Sequence, residues 1–374
     1  MEKGCKKTVL FVLDNLGGGG AERVVQHLIK GLDNFQPAIL LINQHGNYMS
    51  HLPEGIKVHT IKASRARYSL PGVAWQIRKI HPNVVFSTKP FVDQVVLMAI
   101  KLLRDPPFIV LRSPNFPSKS LSTCPWPVRA LAGWSYRSAD TIISLTDAMK
   151  KDMVEFFGVA GKKVEVINNP VDIDFVQGMA KEELDNHRLL SQQQKTPPII
   201  IGMGAMEEQK GFTDLLEAFA VLREKVNSKL VLLGQGEKLS DLRALTRKLN
   251  VAEDVYFEGF VPNPYKYLAK ADLFVLSSLW EGFPNALVEA MTCGTPVVAT
   301  KCPSGPEEII DDEENGLLVP VGDRQRMVKA MERILKNPNL AEKLATGAQR
   351  RVQDFRLKKV VGEYEQVFRE ITGQ

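Results

Sequence analysis

Two glutamates eight positions apart stand out as residues whose spacing is suited to ligand chemistry. They lie in the segment WEGFPNALVEAM as Glu281 and Glu289, directly after the apolar run Leu273–Ser277, which predicts a strand. Pro284 between them is well suited to the first turn of a following helix. The first amides of that helix have no partner inside it and are available to an anion. The amides expected there are those of Asn285, Ala286 and Leu287.

The positions of the two acids predict a ligand that lies between them rather than a catalytic pair. One carboxylate precedes the helix and the other lies more than one turn inside it, so they would flank a phosphate bound at the helix end. A sugar, a diphosphate and a ribose in a row have that layout. From spacing alone, an acid near a helix start and an unrelated surface glutamate remain the simpler interpretation.

Two glycine-containing loops follow predicted strands and favour contact with phosphate. The first, NLGGGGAE, precedes a helix, and Gly18 and Gly19 are predicted to contact a donor; a flexible turn is the alternative. The second, GMGAMEEQKG, contains Gly204 and ends beside Lys210, which adds a positive charge at a helix start. Neither loop has the spacing of a dinucleotide fingerprint or a P-loop.

Length and composition are those of a soluble two-domain protein. A chain of 374 residues is too long for a single core, and 44% hydrophobic with 24% charged residues is ordinary. No run approaches the roughly 20 apolar residues of a membrane span, so a cytoplasmic location is expected. The four cysteines and six histidines are scattered, and no protein metal site is expected.

Charge is distributed unequally along the chain. Residues 1–172 contain 22 Lys and Arg against 13 Asp and Glu, whereas the remainder contains 26 against 30. The first half therefore carries +9 and the second −4. Such a basic half suits an anionic partner: a membrane surface, a phosphate-bearing substrate or nucleic acid. Unequal solvation of two surfaces is the alternative.

Short apolar runs alternate with longer amphipathic stretches, which predicts an α/β protein with parallel sheets. The predicted strands are Val9–Leu13, Ala38–Ile42, Val84–Ser87, Phe108–Leu111, Thr141–Leu145 and Val164–Ile167, followed by Ile199–Met203, Lys229–Leu233, Val255–Phe257, Leu273–Ser277 and Pro296–Thr300. The pattern stops in a polar stretch and then restarts, so two doubly wound, Rossmann-like domains facing across a ligand-binding cleft are expected. The predicted divisions are an N-terminal domain (1–172), a linker (173–198), a C-terminal domain (199–353) and a C-terminal helix (354–374). The last helix could pack onto either domain, with the N-terminal one favoured.

The sequence resembles the retaining glycosyltransferases of family four, which have the GT-B fold, and the likeness spans nearly the whole chain. Its most specific part is the E-x7-E motif formed by Glu281 and Glu289. The supporting segments are GGGGAERV, VINNPVD, QKGF and SGPEEII. The last of these is common in bacterial relatives that build surface polysaccharides or lipid-linked oligosaccharides.

The resemblance implies a hexosyltransferase that retains anomeric configuration without a metal or other cofactor. The donor, most often a UDP-sugar, would bind the C-terminal domain, and a glycan or lipid-diphosphate acceptor would bind the N-terminal one. Glu281 and Lys210 would be the catalytic residues, and Glu289 would bind the ribose. The remaining donor contacts implied are Gly18, Gly19, Gly204, Val261, Gly282, Phe283, Pro284, Asn285, Ala286 and Leu287.

Two departures from the family pattern affect phosphate binding. The usual arginine is replaced by Ala205, and the histidine that members often have after the strand ending at Leu111 is replaced by the segment RSPN (112–115). Arg112 is hypothesised to supply the missing charge. Arg112 and Asn115 are predicted as contacts to acceptor or phosphate. A third feature, the DxD formed by Asp172 and Asp174, is predicted to be structural rather than a metal motif.

The segment from Arg112 to Arg137 interleaves tryptophans, prolines and basic residues. This composition predicts peripheral contact with the anionic inner face of the cell membrane. Of Trp126 and Trp134, one is expected in the core. A nucleotide-sugar epimerase of the same architecture and a catalytically weak sugar-nucleotide-binding protein are the alternatives. A nicotinamide dehydrogenase is disfavoured, and no motif supports nucleic-acid binding.

Overall fold

The structure is a computed structural model that describes residues 6–16, 20–43, 52, 53, 55–61, 68–122, 124–184 and 197–373. The chain forms two compact units. The N-terminal unit comprises residues 1–170 and 357–374, and the C-terminal unit comprises residues 171–356. Within the described residues, no helix is both long and apolar enough to cross a bilayer.

The N-terminal unit is a parallel sheet covered by helices. Its strands are β1 (Thr8–Leu13), β2 (Gln36–Leu41), β3 (Lys57–Thr60), β4 (Val84–Ser87), β5 (Phe108–Arg112), β6 (Thr141–Ser144) and β7 (Val164–Val166). Its helices are α1 (Gly20–Gly31), α2 (Leu70–Ile80), α3 (Pro90–Lys101), α4 (Pro117–Ser120), α5 (Trp126–Ser138) and α6 (Asp147–Phe157). The strand order is β3-β2-β1-β4-β5-β6-β7.

The C-terminal unit repeats this plan with six strands in the order β10-β9-β8-β11-β12-β13. The strands are β8 (Ile199–Met203), β9 (Lys229–Leu233), β10 (Val255–Gly259), β11 (Leu273–Leu276), β12 (Val297–Thr300) and β13 (Leu317–Val319). The helices are α7 (Ile173–Ala180), α8 (Phe212–Arg223), α9 (Leu239–Lys248), α10 (Tyr265–Leu268), α11 (Asn285–Thr292), α12 (Pro306–Ile309), α13 (Arg324–Lys336) and α14 (Pro338–Arg351). Both units are therefore Rossmann-like.

The central strands form the cores, which is why their sequences are almost purely apolar. Val9, Leu10 and Phe11 of β1 are fully buried, as expected for a parallel strand covered on both faces. The sequence analysis did not identify β3 and β13. Both are short edge strands: β3 (KVHT) is only half-buried and has no continuous apolar run, and β13 (LLV) is only three residues long.

The last helix, α15 (Leu357–Thr372), belongs to the N-terminal unit and packs against α1. Tyr364 and Phe368 on this helix are buried, and both rings meet Phe86 of β4 edge-on. The Glu365 carboxylate accepts backbone hydrogen bonds from Asp33 and Asn34 at 2.8 and 2.7 Å. The terminal segment therefore completes the core of the first unit.

The predicted linker begins too early, because residues 173–180 form α7 within the C-terminal unit. Ile173 and Val176 are buried there. The rest of the linker prediction falls largely on residues 185–196, outside the described residues. The DxD has structural partners, as predicted: Asp172 caps α7 by accepting from the Phe175 amide, and Asp174 pairs with Arg356 at 3.0 Å.

In each sheet the strand order reverses once, and ligands of such sheets bind at the carboxyl ends of the two strands that flank this point. In the N-terminal unit these strands are β1 and β4, and in the C-terminal unit they are β8 and β11. Lys210 lies in the loop after β8, and Glu281 lies in the loop after β11. The topology therefore brings together two motifs that are 71 residues apart.

Candidate active site

The loops after β8 and β11 are joined by three hydrogen bonds. The Ser277 hydroxyl donates to the Lys210 carbonyl at 2.8 Å, and the Leu279 amide donates to the Gln209 carbonyl at 2.8 Å. The Gln209 side-chain amide also donates to the Trp280 carbonyl at 2.9 Å. These bonds hold Lys210 against the segment that carries Glu281.

Gly211 explains why a glycine follows this lysine. Its φ is +59°, a left-handed conformation that glycine adopts without strain. A Cβ at this position would lie 2.1 Å from the Ser277 carbonyl oxygen. Any other residue would therefore push the two loops apart and displace Lys210.

Lys210 and Glu281 form an ion pair at the centre of the site. The lysine Nζ lies 2.6 Å from Glu281 Oε1, and the Ser278 hydroxyl donates to the same oxygen at 2.6 Å. Glu281 is only 4% exposed, and a buried carboxylate is costly unless it is paired and hydrogen-bonded. The pair therefore holds a negative and a positive group in place before any ligand arrives.

The SGPEEII segment supports the loop that contains Glu281. The Ser304 hydroxyl donates to the Gly282 carbonyl at 2.8 Å, and the Glu281 amide donates to the Pro303 carbonyl at 3.3 Å. Gly305, at φ +87°, packs so closely that a Cβ would lie 2.5 Å from Pro284 Cδ. This segment therefore sets the approach of the chain to α11.

Helix α11 begins one residue later than predicted, since Pro284 is the residue that precedes it. The Leu287 and Val288 amides both donate to the Pro284 carbonyl, at 3.0 and 3.3 Å. The expectation that the Leu287 amide is unpaired is therefore wrong, because the first turn closes on Pro284. An anion at this helix end would face the amides that come earlier, at Asn285 and Ala286.

Glu289 is 8% exposed, so its interpretation as an unrelated surface glutamate is wrong. The hydroxyl of Tyr265, at the start of α10, donates to Glu289 Oε1 at 3.4 Å. Tyr265 is in turn oriented by Asn263, whose Oδ1 accepts from the Tyr265 amide at 3.1 Å. Glu281 and Glu289 thus have separate hydrogen-bond partners, as expected for groups that would contact different parts of a ligand.

Two cysteines beside these acids have unreactive thiols. Burial, followed by the Glu289 carboxylate, raises the pKa of Cys293 to about 12. Burial, followed by the Glu281 carboxylate, raises the pKa of Cys302 to about 12. Both thiols stay protonated at neutral pH, and a thiol is a poor nucleophile and metal ligand. Among the described residues, no three His, Cys, Asp or Glu side chains form a group that could hold a metal ion.

The other predicted donor contacts differ in location and burial. Gly18 and Gly19 lie outside the described residues. Gly204 directly follows β8 and lies beside the Lys210 side chain, whose nearest carbons would lie 3.1 Å from a Cβ there. Val261 is half-buried in the loop after β10, and Phe283 is buried with its ring against Phe355. Ala205, which replaces the family's arginine, is exposed.

Arg112 does not fit its predicted contact with acceptor or phosphate in this structure. It is 1% exposed and donates to Thr88 Oγ1 at 2.9 Å and to Asn169 Oδ1. The guanidinium is thus engaged inside the N-terminal unit, and the hypothesis that it replaces the arginine lost at position 205 is not supported. Asn115 is half-buried, and its Oδ1 accepts from the Phe116 amide at 2.9 Å.

Several residues that support the acids were not identified from the sequence. Ser278 follows a strand without any motif of its own, and Tyr265 lies 24 positions before Glu289. Gln209 and Ser304 lie within QKGF and SGPEEII, segments noticed only as family markers. Their hydrogen bonds to backbone carbonyls depend on tertiary contacts, which local sequence patterns do not encode.

Comparison with family models divides the chain in the same way. Residues 18–175 match the model described as Glycosyltransferase Family 4. Residues 185–351 match the model described as Glycosyl transferases group 1. The two matched regions correspond closely to the two structural units.

Two curated relatives resemble the chain, one over nearly its full length and one over about three fifths of it. The N-acetylgalactosamine-N,N'-diacetylbacillosaminyl-diphospho-undecaprenol 4-alpha-N-acetylgalactosaminyltransferase of Campylobacter jejuni is 30% identical over 95% of this chain and 97% of its own length. The lipopolysaccharide core glycosyltransferase LpsE of Rhizobium meliloti is 32% identical over 62% of this chain and 65% of its own.

Among solved structures, HepE of Anabaena with UDP-glucose superposes with a TM-score of 0.84 at 20% identity, covering 97% of this chain and 99% of HepE. The galactosyltransferase WaaB of the lipopolysaccharide outer core gives 0.71 at 19% identity, covering 97% and 99%. Both likenesses concern the fold, which is GT-B. A relative with 30% identity matches nearly the whole length of both chains, and family models match both halves of this one. The chain therefore belongs to the group 1 and family 4 glycosyltransferases.

Proposed function

We propose that this protein is a retaining hexosyltransferase that moves a sugar from a UDP-sugar to a hydroxyl of a lipid-diphosphate-linked glycan. The C-terminal unit would bind the donor and the N-terminal unit the acceptor. The reaction would need no metal and would take place at the cytoplasmic face of a membrane, in the synthesis of a bacterial surface polysaccharide.

The observation that carries this proposal is the Lys210–Glu281 ion pair, which precedes a helix that presents Glu289 on its second turn. A cation and a helix amino end together suit a diphosphate. Buried acids on either side suit the hydroxyls of a sugar and a ribose, because a carboxylate accepts strong hydrogen bonds from them. The Campylobacter relative acts on a diphospho-undecaprenol acceptor, which supports the choice of acceptor class. The HepE structure contains UDP-glucose, which supports the choice of donor.

In the proposed reaction, the bond between the anomeric carbon and the diphosphate oxygen breaks as the acceptor hydroxyl approaches on the same face. A new bond forms between the anomeric carbon and the acceptor oxygen, and the hydroxyl proton passes to the departing phosphate. Lys210 and the α11 amides would stabilise the charge that develops on UDP, since such preorganised groups act most strongly in the transition state. Glu281 would orient the sugar, and Glu289 the ribose.

The proposal is tested by incubating the protein, with EDTA present, with a panel of UDP-sugars and an undecaprenyl-diphosphate-linked sugar. We expect one donor to raise the melting temperature and to be consumed in step with a glycolipid whose new linkage keeps the donor's anomeric configuration by NMR. Formation of an epimeric UDP-sugar without acceptor would instead indicate an epimerase. Donor binding without any turnover would indicate a sugar-nucleotide-binding protein.

Ser278 is expected to be a positioning residue for Glu281. Its hydroxyl donates to Glu281 Oε1, so Ser278→Ala removes one charge-assisted hydrogen bond from a buried carboxylate. We expect kcat to fall about tenfold, from a loss on the order of 1.5 kcal/mol, with little change in UDP affinity. Steady-state kinetics and UDP calorimetry on the same preparation measure the two effects.

Ser278→Thr is the matched control, because it keeps the hydroxyl in the same buried place. We expect it to recover most of the activity that the alanine variant loses. If the threonine variant is as slow as alanine while its melting temperature matches wild type, the hydroxyl does not position Glu281.

Glu289 is expected to decide ribose recognition. Glu289→Gln keeps the shape but removes the charge, so we expect UDP affinity to fall by about tenfold or more with a smaller effect on kcat. A site built to bind a hydroxyl also discriminates against the analogue that lacks it. Wild type should therefore bind UDP more tightly than 2′-deoxy-UDP by calorimetry, and the variant should largely lose this preference. Equal discrimination in both proteins would place the ribose elsewhere.

A further inference from the structure

The outward surface of α3 in the N-terminal unit is unusually apolar. Two of the three exposed residues in the helix are Phe91 and Met98, at 64% and 38% exposure, and Leu102 directly after the helix is 69% exposed. They are spaced seven and four positions apart, which places them along one stripe of the helix. The third exposed residue of the helix is Lys101. A helix whose exposed side is almost wholly apolar is normally covered by something.

The two neighbouring helices extend this surface with tryptophans. Helix α3 packs against both α2 and α5. Trp75 on α2 is 56% exposed, and Trp126 at the start of α5 is 73% exposed. The second tryptophan of α5, Trp134, packs against the core, as predicted for one of the two. Exposed tryptophans are typical of surfaces that meet the boundary between water and lipid.

Basic residues are frequent in the part of the chain that carries these apolar side chains, and exposed acids are nearly absent there. From Leu70 to Ser138 the chain has nine Lys and Arg against two Asp; Arg112 among the nine and Asp93 among the two are buried. Lys79 lies over the Trp75 ring at 5.0 Å, and Lys101 lies over the Trp134 ring at 4.7 Å. In this arrangement the long side chains cover aromatic surface while their charges remain at the outside.

We propose that this surface, defined by Trp75, Phe91, Met98, Leu102 and Trp126 with the surrounding Lys and Arg, docks on a bilayer that contains anionic lipids. Charge complementarity selects this partner, because one face combines a positive field with apolar side chains that can enter the headgroup region. The proposal rests on the proposed function in one respect: a lipid-linked acceptor would be reached from the bilayer surface. The charge and exposure pattern is independent of that function.

The docking proposal is tested by sedimenting the protein with vesicles of phosphatidylglycerol and with vesicles of phosphatidylcholine. We expect binding to the anionic vesicles at low salt, with weaker binding at high salt and on neutral vesicles. Phe91→Ser combined with Leu102→Ser should lower the partition coefficient at least tenfold. Arg78→Gln combined with Lys79→Gln should lower it about fivefold for each charge removed.

Val221→Ser combined with Val321→Ser is the matched control, since both valines are exposed in the C-terminal unit, at 47% and 39%. The control should bind vesicles as wild type does. Wild type that stays in solution with anionic vesicles at low salt would overturn the proposal, as would unchanged binding of the Phe91 and Leu102 variant. A lipid-free oligomer that this variant dissociates, detected by light scattering, would identify the surface as a self-association interface instead.

Thermal stabilisation by the UDP-sugar, measured without lipid, separates this proposal from the proposed function. The surface variants should retain it in full. If donor stabilisation persists but no vesicle binding occurs, only the docking surface is refuted. If vesicle binding persists and no UDP-sugar stabilises any variant or wild type, only the proposed function is refuted.

Discussion

Replacing Lys210 with methionine is expected to lower kcat by about 10²–10³-fold, the usual effect of removing one group that stabilises charge in a transition state. The reason is that the ammonium is held against Glu281, in the loop that leads into α11, where departing UDP would develop charge. Donor KM should rise less than kcat falls. Rapid-quench measurement of a single turnover isolates the chemical step from product release.

The same substitution is expected to destabilise the C-terminal unit, because it removes the cation that pairs with the buried Glu281 carboxylate and leaves the Ser278 hydroxyl to bond it. We expect a loss on the order of 1–3 kcal/mol. Adding Glu281→Gln removes the uncompensated charge, so the double variant should recover stability without recovering turnover. This non-additivity is the signature of a directly interacting pair.

Lys248→Met is the control, since Lys248 is an exposed lysine of α9 in the same unit. It should leave kcat and stability within about twofold and 0.5 kcal/mol of wild type. A Lys210→Met protein with kcat within threefold of wild type would remove the lysine from the proposed mechanism.

Asp93→Asn is expected to make the N-terminal unit more stable above pH 7 and to flatten its dependence on pH. Burial raises the pKa of Asp93 from 3.8 to about 7, partly opposed by the nearby Ser87 hydroxyl and Lys89 amide. The same carboxyl helps to raise the pKa of Tyr136, after burial as the main cause. Asp93 is thus a neutral acid in the folded protein under mildly acidic conditions.

The direction of the effect follows from proton linkage. Because the folded pKa lies above the unfolded one, the stabilisation from protonated Asp93 is fully present below about pH 4 and is lost as pH rises to about 7. About three pKa units correspond to a loss on the order of 4 kcal/mol. Asparagine keeps the shape but cannot ionise, so the difference between variant and wild type should grow from pH 5 to pH 8.

Urea unfolding at several pH values, followed by tryptophan fluorescence, measures this difference. Three of the four tryptophans (Trp75, Trp126 and Trp134) lie in the N-terminal unit, so the signal reports mainly on that unit. Asp105→Asn is the control, because Asp105 is an exposed acid in the same unit. If Asp93→Asn parallels wild type at every pH, the buried carboxyl does not titrate in this range.

The sequence was most informative where the physical signal is local. Strands β4, β8 and β9 lie at the predicted residues, because each is an apolar run buried on both faces between clear breaks. The edge strands β3 and β13 were missed, since β3 has no continuous apolar run and β13 is only three residues long. The linker was placed too early because the short apolar pattern of α7 lies directly after a proline-containing turn.

For the candidate site, the motifs identified Glu281, Glu289 and Lys210, but not the contacts between them. Their partners come from other segments: Ser278 for Glu281, and Tyr265 for Glu289. Which segments meet depends on the order of strands in the sheet, and alternating helices and strands are compatible with several orders.

By itself, the sequence determined the family, the α/β class, the two Rossmann-like halves and the chemistry-bearing residues. These follow from residue type and short-range periodicity, which act within one segment. Only the tertiary structure decided that Arg112 is buried, that α15 completes the first unit, and that the exposed side of α3 is apolar. The reason is that burial of a side chain depends on what packs over it, and that partner lies elsewhere in the chain.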